Sequence, residues 1–221
     1  HAEKIYNCFG VRPTVCRNTE LIYSNAIGSR MHAMGFEATY VDGIEKILHG
    51  RTPHSVYKHP DHDNFMLLPR SYNLSDEIGF RFDEHHVTGP AFVAWLDALP
   101  RHNNLINIAL DYETFGEHKK ASSGIFKFME MLLSYLAVNE NYKMLTPTEA
   151  VRTLKATDAL DVPEYISWAD EARDLSAWLG NDMQMDAFDC LMKLTHEVKQ
   201  TEDSTLLHIW RCLQTSDHYY Y

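Results

Sequence analysis

Asp111 and Glu113 stand at the end of an apolar run, in the stretch INIALDYETFGEH of residues 106–118. The run INIAL reads as a buried β-strand. Alternate residues of a strand point to one side, so a strand continued to Glu113 would put both carboxylates together. A charge at the end of a buried strand is costly unless it is paired or at work. Two readings stand at this point: a strand closed by a solvated acidic turn, or a strand that carries a working carboxylate. A second strand-like stretch, VCRNT, runs into another carboxylate, Glu20. Two carboxylates facing one cleft can cleave a glycosidic bond. One attacks the anomeric carbon or holds the water, and the other gives a proton to the departing oxygen. The retaining version of that reaction needs the two carboxyl groups about 5–5.5 Å apart, and spacing alone does not bring Glu20 and Asp111 together.

The elements that would position these residues follow from pattern and punctuation. HAEKIYNCF reads as the end of a helix closed by Gly10. SNAIGSRMHAMGF predicts a helix ending near Gly35, EATYVD a strand, and GIEKILHG a short helix closed by Gly50. Residues 51–63 are polar and proline-punctuated and read as loop, with a short strand at SVYK. NFMLLPR reads as a strand and SYNLSDEIGFRF as a loop with a polar turn at SDE. TGPAFVAWLDAL is an amphipathic helix capped near Thr88 or Gly89. SSGIFKFMEMLLSYLAVN is a long helix begun by Ser122 or Ser123, and KML a short strand. TPTEAVRTL is a helix with Thr146 as N-cap and Pro147 at its first position.

Up to about residue 154 strands alternate with helices, the pattern of βα units around a parallel sheet or barrel. Beyond about residue 168 the pattern is helical only, in two amphipathic stretches. The expected fold class is α/β, with a βα portion over residues 1–160 and a helical segment over 161–221. Working residues of parallel barrels gather at the C-terminal ends of strands, where Glu20 and Asp111 fall.

Composition narrows the partners. The chain has 221 residues, 45% hydrophobic and 23% charged, an ordinary globular balance. Its formal net charge of −11 argues against a nucleic-acid partner, which would call for clustered Lys and Arg. No apolar run reaches membrane-spanning length. Cys8, Cys16, Cys190 and Cys212 match no zinc or redox spacing, so four buried free thiols in a reducing compartment, the cytoplasm, are expected. The chain starts without Met inside a helix end and stops within an aromatic run, DHYYY; both ends read as cut.

Four segments taken together, RNTELIYSN, RSYNLSDEIGFRF, DYETFGEH and SWADEARDLSAWLGNDMQ, resemble the family 57 glycoside hydrolases in their α-amylase-like branch. The resemblance covers nearly the whole chain. It implies part of a seven-stranded (β/α) barrel followed by a helical subdomain. It implies a retaining enzyme on α-1,4-glucans, with no cofactor and no obligatory metal; a branching enzyme, a glucanotransferase and a non-catalytic glucan-binding homologue are the alternatives it leaves. Matched residue by residue, Glu20 takes the place of the nucleophile and Asp111 that of the general acid/base. Glu113 takes that of a further acidic residue beside the acid. Asp174 and Trp178 fall in the family's last motif, where the indole could stack on glucose. The family's opening His-Gln-Pro motif has no match here, since His59-Pro60 follows the nucleophile segment. A barrel with an open side is therefore expected.

The remaining polar candidates read as structural. Arg17 is a local ion-pair residue, Asp76 a loop-capping side chain, and His85, His86 and His118 surface or supporting histidines without a metal-binding spacing. Trp95, Trp168 and Trp210 read as core. A metal-dependent polysaccharide deacetylase, the main rival from another class, would need an Asp and two His at strand ends, a set not visible here.

Overall fold

The computed structural model of the chain describes residues 1–220, which divide into two compact units. The first comprises His1–Arg17 and Asn25–Pro163, the second Asn18–Ser24 and the residues from Glu164 onward.

The first unit is mixed α/β. Its elements run α1 (Ala2–Phe9), β1 (Val15–Cys16), α2 (Asn25–Ala33), β2 (Ala38–Asp42), α3 (Glu45–Leu48), β3 (Tyr57–Lys58), β4 (Met66–Arg70), α4 (Tyr72–Gly79), α5 (Phe82–His85), α6 (Gly89–Asp97), α7 (Ile125–Val138) and α8 (Pro147–Thr153). The four strands form one sheet in the order β1-β2-β4-β3, parallel except for β3. β2 and β4 are the centre, paired from Ala38↔Met66 to Asp42↔Arg70. This register places Asp42 and Arg70 side by side at the C-terminal ends of adjacent strands. Gly43, immediately after β2, donates its N–H to the Arg70 carbonyl, and a Cβ there would lie 2.4 Å from that oxygen, so only glycine fits.

Helix signals in the sequence hold where caps fix them. Gly10 closes α1 in the left-handed conformation. Thr88 caps α6 through the Ala91 N–H, and Thr146 with Glu149 forms a full capping box on α8. α6 and α7 pack closely because Gly89 has no side chain; a Cβ there would come within 2.9 Å of Met131. A core of Ile78, Phe82, Phe92, Val93, Leu96, Ile125, Phe128 and Leu132 lies among α4–α7. A smaller one, around Ala38, Val56 and Leu68, packs Val151 and Leu154 against the sheet.

Four readings of this unit are corrected. SYNLSDEIGFRF is helical, as α4 and α5, because its central polar residues, Ser75, Asp76 and Glu77, are buried and not solvated. Asp76 and Glu77 are buried in α4 and paired, Asp76 with Arg70 and Glu77 with Arg81 and His85, so Asp76 caps no loop. INIAL makes no ladder: only the bridge Arg70↔Asn107 joins it to β4, and residues 105–111 are half-buried. Side chains replace the missing ladder partners, as detailed below. KML forms no strand either; it is three residues long, and Met144 is exposed.

The second unit is largely helical: α9 (Ser176–Leu179), α10 (Asp182–Lys193), α11 (Thr195–Gln200), α12 (Ser204–Cys212) and α13 (Asp217–Tyr220), with a core of Leu191, Val198 and Trp210. The first of the two expected helical stretches is broken, because Asp170 and Arg173 adopt left-handed backbone and Asn181 restarts the helix by capping α10. Segment Asn18–Ser24 joins this unit through a two-way hydrogen-bonded bridge between Tyr23 and Ile166. The cysteines are free thiols, but Cys8, Cys190 and Cys212 are exposed and Cys16 is half-buried, against the expectation of burial. Trp95 is also exposed, not core. No helix among the described residues is long and apolar enough to cross a membrane.

Candidate functional site

The candidate site residues singled out by the sequence fall in both units. Asp111 and Glu113 belong to the first; Glu20, Asp174 and Trp178 belong to the second.

Asp111 ends the extended segment and starts a 3-10 turn at Tyr112–Thr114, with its carbonyl accepting from the Thr114 N–H. The strand does not continue to Glu113; Glu113 sits in the turn, exposed, its carbonyl receiving the N–H groups of Glu117 and His118. The turn brings the Glu113 charge close enough to act on Asp111. Burial pushes the Asp111 carboxyl above the ordinary carboxylate range, and Glu113 pushes it further. Arg17, His118 and Arg70 oppose the shift without cancelling it. Arg17 thus acts electrostatically on Asp111.

The segment leading to Asp111 is fastened by side chains. The Asn107 carbonyl accepts from the Ser71 N–H, and the Asn107 side chain donates to the Pro69 carbonyl at 3.0 Å. The Ala109 N–H donates to Ser75 Oγ at 3.2 Å, and the Ala109 carbonyl accepts from Arg70 Nε at 2.8 Å. Arg70 is 2% exposed; its Nη1 meets Asp42 at 3.3 Å and its Nη2 meets Asp76 at 2.5 Å. Asp42 is fully buried. A cation at the end of the apolar run MLLPR was a sequence signal for this network, since a buried charge must find partners.

A raised carboxyl has a consequence for stability. The folded state favours neutral Asp111, so its contribution is full below the ordinary aspartate range and is lost as pH rises through the raised value. Asp111→Asn, neutral at every pH, is therefore expected to melt higher than wild type at neutral pH, by on the order of a few °C. The gap should close as pH falls below the carboxylate range. Thermal melts of both proteins against pH check this; a variant that melts lower at neutral pH would reverse the sign.

Glu20 is half-buried and occupies a left-handed conformation, φ 51°, followed by Leu21 at φ 48°. Such backbone costs about 1–3 kcal/mol per non-glycine residue and persists only where surroundings over-determine it. Here Trp168 does so. Its N–H donates to the Glu20 carbonyl at 3.0 Å, and its indole Nε1 donates to Glu20 Oε2 at 2.7 Å. The Trp168 carbonyl is in turn held by Arg173. Trp168 is half-buried, and the sequence reading placed it in the core; an indole N–H needs an acceptor when enclosed, the one signal that could have separated the two.

Asp174 is half-buried, accepts the Ser176 N–H at 2.8 Å ahead of α9, and receives Ser167 Oγ on its carbonyl. It joins the loop that carries Trp168, since Ser167 N–H donates to Arg173. Trp178 is 5% exposed, with Tyr220 packed beside its ring at 5.8 Å between centroids. In this arrangement the indole offers no open face to a sugar. No group of three or more His, Cys, Asp or Glu able to hold a metal occurs among the described residues.

The chain is similar to known proteins in sequence and in fold. The model of the glycosyl hydrolase family 57 matches residues 1–163. A protein of Methanocaldococcus jannaschii named "Putative alpha-amylase" is 39% identical over an alignment that covers 100% of this chain and 50% of that protein. The chain thus spans about half the length of this curated relative. Among solved structures, a branching enzyme of Thermococcus kodakaraensis, crystallised with glucose, superposes with a TM-score of 0.76 at 14% identity, covering 99% of this chain and 56% of its own. A 4-α-glucanotransferase of Thermococcus litoralis gives 0.65 at 16% identity, covering 88% and 30%. At such identities these two establish likeness of fold.

Proposed function

Because the chain belongs to glycosyl hydrolase family 57, we propose that it carries the catalytic carboxylates of a retaining enzyme acting on α-1,4-glucans, of the α-amylase type. Asp111 carries the reading. A general acid must hold its proton near neutral pH, and burial together with Glu113 pushes this carboxyl in that direction. Glu20 is the nucleophile. The indole of Trp168 holds one carboxylate oxygen, and the other attacks the anomeric carbon. Asp111 protonates the departing glycosidic oxygen, then takes a proton from the acceptor that cleaves the glycosyl–Glu20 ester. Water as acceptor gives hydrolysis, and a glucan hydroxyl gives transfer or branching.

In this reading the four strands are part of a seven-stranded (β/α) barrel, residues 1–160, and residues 161–221 begin a helical bundle. Asp174 and Trp178 contribute from that bundle to substrate binding; stacking of glucose on Trp178 requires Tyr220 to leave its side. The substrate is a neutral glucan, in keeping with a net charge of −11. The protein works without metal or other cofactor, and its free thiols suit a reducing compartment such as the cytoplasm.

Product analysis of the complete protein on maltooligosaccharides and amylose tests the proposal. Shorter maltooligosaccharides that first appear as the α-anomer are expected. Longer or branched products would move the assignment to glucan transfer within the same mechanism. First products of β configuration, or no action on any α-glucan, would overturn it.

A further inference from the structure

The segment that ends in Asp111 lacks the ladder that normally fixes a strand end, so something else must set where Asp111 stands. We infer that Arg70 and Ser75 are positioning residues for Asp111, gripping the Ala109 peptide on its two sides. Ser75 Oγ takes the N–H at 3.2 Å, and Arg70 Nε gives a hydrogen bond to the carbonyl at 2.8 Å. Both side chains are buried. Ser75 is fully buried within α4, and Arg70 is 2% exposed at the end of β4. Arg70 has its fork held by Asp42 on β2 and Asp76 on α4, which leaves Nε directed at Ala109. The planar guanidinium carries this geometry; an ammonium has no donor at the Nε position. The neighbouring contacts at Asn107 fasten the same segment one step earlier. Only Leu110 separates Ala109 from Asp111. A tilt of that peptide therefore moves the carboxyl, and small misplacements of an acid are expensive in rate.

The inference rests on the acid role proposed for Asp111, and the experiment separates the two. In the complete protein, Ser75→Ala and Arg70→Lys are made alone and in combination with Asp111→Asn. Rates are measured on a maltooligosaccharide, which needs the acid, and on α-glucosyl fluoride, whose leaving group needs little proton. Ser75→Ala should lower kcat on the oligosaccharide roughly 10- to 100-fold with KM unchanged. Its loss in the fluoride-releasing first step, read as the pre-steady-state burst, should stay below about 3-fold, because only the later hydrolysis of the ester needs Asp111 as base. Added to Asp111→Asn, it should cost less than about 3-fold more on the oligosaccharide, since misplacing an absent acid has no effect. Arg70→Lys should follow the same pattern; if it does not fold, Ser75→Ala decides. Equal losses on both substrates, or a loss that adds fully to that of Asp111→Asn, would make these residues merely structural and overturn the inference. If Asp111→Asn itself keeps its activity on the oligosaccharide, the acid role falls, and the positioning claim with it.

Discussion

Glu20→Gln in the complete protein is expected to lower kcat on amylose by on the order of 10⁴-fold or more, the scale seen when a catalytic nucleophile is removed. An amide neither attacks the anomeric carbon nor stabilises the positive charge that develops there. The change is nearly isosteric, and the indole of Trp168, a donor only, can still give its hydrogen bond to the amide oxygen. The fold should therefore survive, and the loss should be the same on a glucosyl fluoride, because the missing step precedes any need for a proton. A smaller Glu20→Ala or Glu20→Gly variant leaves room for an anion. Added azide should restore turnover there and yield a glucosyl azide of inverted configuration, since azide then displaces the leaving group directly. Azide product of retained configuration would mean that another residue is the nucleophile.

Asp111→Asn should behave as the complement. On amylose the loss should be roughly 10²–10⁴-fold, the usual worth of a positioned acid. On glucosyl fluoride or an activated aryl glucoside the first step should survive, because fluoride and phenolates depart with little help. The glycosyl–Glu20 ester should then accumulate, since no base activates the water. Azide, which needs no base, should release it as a product of retained configuration. Stereochemistry opposite in both variants would exchange the roles of the two carboxylates. Near-wild-type activity of both on amylose would remove these sites from the mechanism altogether.

The two carboxylates differ in how they are held. Glu20 is fixed by its own strained backbone and by a tryptophan that takes both its carbonyl and its carboxylate. Asp111 is set at a segment end fastened from neighbouring elements, with its charge disfavoured by burial and by Glu113.

The sequence by itself determined the capped helices, the two central strands and which carboxylates are candidates. Caps such as Thr88, Thr146 and Gly10 act within one turn of chain, so their helices were legible from neighbouring residues alone. The apolar centres of β2 and β4 were legible for a similar reason, as short β-branched or aliphatic runs between polar turns. The motifs around Glu20 and Asp111 carried the family. Only the tertiary structure decided what those elements do to one another. Helix α4 reads as a polar loop until Arg70 and Arg81 supply cations to its buried carboxylates, and those partners come from packing and not from its own pattern. INIAL has a strand's composition, but a ladder needs a neighbour in register, and beyond Asn107 side chains took the place of one. Trp168 has the apolar bulk of a core residue, and only the folded loop, far along the chain from Glu20, brings its indole N–H to that carboxylate. Hydrogen bonds and ion pairs between residues distant in sequence leave no periodic trace, which is why the candidate carboxylates could be singled out in the chain but their supporting contacts could not.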